Sequence, residues 1–108
     1  MTTFDEREKA FENKFAHDED LKFKALARRN KMVAEWAASK LGITGRSLAD
    51  YIKAVRMIDL TGKGANNVFE KVKSDFAATG INVSAAEIKK QMADFLVQAV
   101  HEVEGDKK

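Results

Sequence analysis

The side chains best suited to bond chemistry in this 108-residue chain are two histidines, His17 and His101, and four serines, Ser39, Ser47, Ser74 and Ser84. Neither histidine stands in a metal-ligand spacing. His17 is followed by Asp18, Glu19 and Asp20, but consecutive residues on a forming helix point in different directions and do not converge on one ion. None of the serines has His and Asp partners at a motif spacing. Gly62-Lys63-Gly64 lacks the longer glycine loop after a strand, and the Ser or Thr after the Lys, that a phosphate-binding loop requires. With no cysteine, disulfides and thiolate metal sites are excluded. The expectation is a protein that is not an enzyme and holds no metal or cofactor.

What remains is chemistry of recognition. Phe4, Phe11 and Phe15 fall at offsets of seven and four, which places them in a narrow stripe on one helix face. Their neighbours are almost all charged, and Glu8 occupies the position that would complete the stripe. A terminal, highly charged helix with aromatic anchors is the build of a ligand for a groove on another protein. A basic block follows at Lys22, Lys24, Arg28, Arg29 and Lys31. Read as a solvated helix face it needs no ligand; as a functional feature it would contact an anion, a nucleotide or an acidic surface.

The elements that position these residues are helices. Proline is absent, and 44% of the chain is hydrophobic against 33% charged, an ordinary balance for one folded domain of this length. Strand-like alternation is missing over any useful length. Thr3 and Glu6 form a capping-box pair for a first helix reaching about Ala16, expected to be partly formed or loosely attached because so little of it can be buried. Acidic residues after His17 open a second helix, over Glu19–Leu41, closed at Gly42. Leu26, Val33, Trp36, Ala37 and Leu41 are its expected buried positions. Thr44 to Ser47 supply caps for a third, whose Leu48, Tyr51, Ile52, Val55 and Ile58 keep helical spacing. Val68, Phe69, Val72 and Phe76 mark a short fourth helix ending at Gly80. Ser84 and Glu87 open the last, with Ile88, Met92, Phe95, Leu96, Ala99 and Val100 inward. Glu102 to Lys108 reads as a frayed polar tail.

Four such stripes joined by short links pack as an antiparallel bundle. The expected organisation is all-α: a mobile N-terminal helical arm over residues 1–18, a four-helix bundle over 19–104 and a polar tail over 105–108. The formal charge of +2 argues against a nucleic-acid binder. The first residues lack the apolar core of a secretion signal, and no run approaches the roughly 18 apolar residues of a membrane span. A cytoplasmic protein, monomeric when free, is expected.

The strings Met1-Thr2-Thr3-Phe4-Asp5-Glu6-Arg7, Lys14-Phe15-Ala16-His17-Asp18 and Ala27-Arg28-Arg29-Asn30-Lys31 occur in order, followed by Trp36-Ala37-Ala38, Leu41-Gly42 and Lys89-Lys90-Gln91-Met92. Together they resemble the zeta subunit, the ATPase inhibitor of alphaproteobacterial F-type ATP synthases, over almost the whole length. Ala34-Glu35 departs from the small or apolar pair that the family carries ahead of Trp36. The resemblance implies a helical bundle with a mobile N-terminal inhibitory segment. That segment would enter an α/β interface of the catalytic head near the central shaft and stop ATP hydrolysis while allowing synthesis. It implies an inhibitory stretch at about Thr2 to Asp18, with Phe4, Phe11 and Phe15 as anchors and Lys9 and Lys14 as charge contacts. The protein would be cytoplasmic and peripherally associated with the inner-membrane synthase. An alternative reading is a nucleotide- or anion-sensing helical protein that uses Arg28, Arg29 and Lys31.

Overall fold

The structure is a computed structural model that describes residues 18–58 and 64–107. These residues form four helices: α1 (Glu19–Leu41), α2 (Gly45–Arg56), α3 (Gly64–Thr79) and α4 (Ala85–Lys107). No strand occurs among the described residues. The all-α architecture expected from the stripes is the one observed. The proposed first helix lies outside the described residues.

Local chemistry sets the ends of these helices. At the start of α1 the Asp18 carboxylate accepts the Leu21 N–H at 3.1 Å, with Glu19 and Asp20 in the first turn where the helix dipole favours negative charge. Its other end is a Schellman turn: Gly42 adopts φ 76°, its N–H reaches Ser39 O at 3.4 Å and the Ile43 N–H reaches Ala38 O at 2.9 Å. Only glycine enters that left-handed conformation without steric cost. Gly80, at φ 73°, closes α3 in the same way, with the Ile81 N–H on Phe76 O at 2.9 Å. At the start of α4 the Ser84 hydroxyl accepts the Glu87 N–H at 3.0 Å, as the Ser84/Glu87 spacing predicts. Thr44 precedes α2 in extended backbone but makes no side-chain cap.

Helix α1 is the hub, packing against each of the other three helices, most extensively against α4 and α2. Ion pairs fix the direction of its packing on α4. Arg28 meets Glu102 at 3.4 Å and Lys40 meets Glu87 at 4.0 Å, so α4 descends as α1 rises and the two are antiparallel. Both pairs lie near the surface and contribute little energy themselves. The stabilising term is the core: Val33, Ala34 and Ala37 of α1, Val55 of α2, Val68, Phe69, Val72 and Phe76 of α3, and Ile88 and Met92 of α4. Trp36 packs its ring edge-to-face on Phe76, with centroids 5.7 Å apart, a preferred geometry for aromatic quadrupoles. A second cluster of Ala25, Leu96 and Val103 fills the far end of the α1–α4 interface.

Four details depart from the sequence reading. Val33 and Ala37 are buried as expected, but Leu26, Trp36 and Leu41 are half-buried at the rim of the core. Helix α2 ends at Arg56, so Ile58 reaches the core from beyond the helix. Helix α3 is not short, running 16 residues. Helix α4 continues to Lys107 instead of fraying from Glu102, because Val103 has a buried position to fill, at 2% exposure.

Candidate functional site

The residues that could recognise a partner divide into three groups. Phe4, Lys9, Phe11, Lys14 and Phe15 lie outside the described residues. Their segment precedes Asp18, the cap of α1.

The second group is the basic block. Arg28 turns toward α4 and pairs with Glu102. Arg29 was read as part of the surface, but its side chain turns inward; it is 2% exposed and donates from Nε to Asn30 Oδ1 at 2.7 Å. Lys31 is exposed. Successive helical positions differ by about 100° in direction, so the three cations do not line one face. Asn30 is fully buried, and its Nδ2 finds no hydrogen-bond acceptor. The signal that could have found the buried Arg29 is helical spacing: it stands four positions before Val33 and eight before Ala37, on the buried stripe.

A third group escaped the sequence reading. The Tyr51 hydroxyl of α2 donates to Asp75 Oδ2 of α3 at 2.7 Å. Lys71 pairs with the same carboxylate oxygen at 3.3 Å and lies 5.2 Å from the centroid of the Tyr51 ring. Burial, then the hydrogen bond and negative charge of Asp75, push the Tyr51 phenol well above its ordinary value. The arrangement joins α2 to α3. Only the i,i+4 spacing of Lys71 and Asp75 was legible in advance. Nearby, Lys73 and Lys89 both approach the Phe69 ring, at 5.8 and 5.2 Å.

Among the described residues no three His, Asp or Glu side chains are grouped to hold a metal ion. His101 is exposed on α4. The Ser84 hydroxyl is occupied as a helix cap.

The profile of the family described as ATPase inhibitor subunit zeta matches residues 1–102. The chain belongs to that family. The match runs through the N-terminal segment and all four helices as far as Glu102, so it covers the whole arrangement and not one motif. Zeta subunits are inhibitor subunits, a regulatory rather than a catalytic class. Comparison with curated proteins returns no match. No helix among the described residues is long and apolar enough to cross a membrane.

Proposed function

We propose that this protein inhibits ATP hydrolysis by the F-type ATP synthase by inserting residues 1–18 at an α/β interface of the catalytic head, near the central shaft. A wedge there blocks rotation in the hydrolysis direction and does no bond chemistry. The protein then works on the cytoplasmic side, held peripherally at the membrane-bound enzyme. The observation that carries this reading is the family match across residues 1–102, which spans residues 1–18. The sequence of that segment supports it: Phe4, Phe11 and Phe15 form one apolar stripe for a groove, and Lys9 and Lys14 supply charge at its edges. The alternative of an anion sensor on Arg28, Arg29 and Lys31 has less support, because the Arg29 side chain is buried and Arg28 is engaged with α4.

The test is hydrolysis by the purified synthase, titrated with the wild-type protein and with Phe11→Ala, Phe15→Ala and Glu12→Lys. Truncating an aromatic anchor in a packed interface costs about 2 kcal/mol or more, a weakening of roughly thirtyfold. Reversing a charge at the rim matters less. Full potency in both Phe variants would reject the aromatic-anchor mechanism, and loss of potency in Glu12→Lys alone would show a segment held by charge.

A further inference from the structure

Helix α2 has an outer face that the bundle leaves uncovered. Its inner face carries Leu48, Tyr51, Ile52 and Val55, all buried or half-buried. On the opposite side Arg46, Lys53 and Met57 follow at spacings of seven and four, which aligns them along one line of the helix surface. Arg56 and Ala49 flank that line on one side, Asp50 and Ala54 on the other, and all seven side chains are exposed. Met57 is 74% exposed, the most exposed of the large apolar side chains among the described residues. It continues the line because its backbone stays helical, at φ −79° and ψ −6°.

The cations on this face, Arg46, Lys53 and Arg56, like the exposed Lys24 and Lys31 of α1, are in no ion pair among the described residues. Arg28, Lys40, Lys71 and Lys90 each have a carboxylate partner. Three cations against Asp50 leave α2 a formal excess of two, which equals the formal net charge of the whole chain. By the same count α1 has six cations against three carboxylates, an excess of three. Its Arg29 is buried, however, and its Arg28 and Lys40 are paired, so α2 is the helix whose excess lies wholly on exposed side chains. Cations without an internal partner can meet an incoming carboxylate without first breaking a bond, and they steer approach over about a Debye length. An exposed Met beside two Arg, with alanines that let a partner come close, is also the composition of an interface core.

We infer that the outer face of α2 is a docking surface by which the bundle binds an acidic protein surface on the ATPase head, with Met57 entering an apolar hollow between carboxylates. The inference rests on the function proposed above. Three cations mixed with alanine and methionine suit a protein surface better than a polyanion, which draws longer basic arrays.

The experiment measures binding of the full-length protein to the purified ATPase head, and its inhibition, at low and high salt. The variants are Arg46→Glu/Lys53→Glu, Met57→Ser and Phe11→Ala, each first checked for an unchanged thermal melt. The double charge reversal should weaken binding about tenfold or more at low salt, mostly through slower association, with the gap closing as salt rises. Met57→Ser should weaken binding a few-fold at every salt concentration, and it tests the same face if the charge reversal fails to fold. Should both α2 variants bind like wild type while Phe11→Ala loses inhibition, the docking face is wrong and the inhibitory mechanism stands. A wild-type protein that neither binds nor inhibits overturns both. Vesicles containing phosphatidylglycerol form the control arm. If the charge reversal abolishes vesicle capture but leaves ATPase binding unchanged, the face belongs to a membrane and the inference is refuted.

Discussion

Replacing Phe76 with alanine removes the largest fully buried side chain in the structure, at 1% exposure. Its ring sits among Val33, Ala37, Val72, Ile88 and Met92 in the main cluster and takes an edge-to-face contact from Trp36. A buried Phe cut to Ala costs about 3–5 kcal/mol, and the cost rises with the cavity left behind. The lost ring pair adds roughly 0.5–1.5 kcal/mol to the area term, so the expected loss is about 4 kcal/mol. Domains of this size are stable by about 5–15 kcal/mol, so the variant stays folded only if the wild type lies toward the upper part of that range. The assay is urea unfolding followed by far-UV circular dichroism and by fluorescence of Trp36, the sole tryptophan. With an m-value of about 2 kcal/mol/M, the midpoint should fall by about 2 M. Val97→Ala, at a position 43% exposed, is the control and should move the midpoint far less. A loss below about 1.5 kcal/mol at unchanged m would show that Phe76 does not hold the junction of α1, α3 and α4 together, and the core described above would be wrong.

Two further outcomes test the joints of the bundle. Tyr51→Phe should cost about 1 kcal/mol near neutral pH, the net value of one hydrogen bond. Because the phenol's pKa is raised by folding, its contribution is complete below the unfolded value near 10 and is lost as pH rises beyond it. The wild type should therefore lose stability more steeply than the variant in alkaline urea titrations, and parallel pH profiles would contradict the Tyr51–Asp75 bond. Ser84→Ala should cost about 1 kcal/mol because the hydroxyl caps α4, whereas Thr44→Ala, which removes no cap bond, should cost less than about 0.5 kcal/mol by thermal melts; equal costs would show that cap geometry does not govern these two helix starts.

Helix identity and most helix ends were legible in the residues themselves, because both depend on bonds and contacts three to five positions apart. Asp18, Gly42, Ser84 and Gly80 mark their ends through hydrogen bonds closed within one turn, and the stripes of α2 and α4 declare their inner faces by spacing alone. The strings that resemble zeta subunits were equally plain, and the family match across residues 1–102 agrees with them. Tertiary structure decided what depends on residues far apart in the chain. Arg29 and Asn30 keep helical spacing with Val33 and Ala37, but only the packing around α1 decides that polar side chains there are enclosed instead of reaching solvent. Val103 turns a polar-looking tail into helix because Ala25 and Leu96 complete a hydrophobic cluster with it. Tyr51 finds Asp75 across 24 positions, a separation over which no local periodicity carries information. The open face of α2 has the same origin: its cations are visible in the sequence, but only the packing of Tyr51, Ile52 and Val55 against the bundle core decides which side of the helix is left exposed.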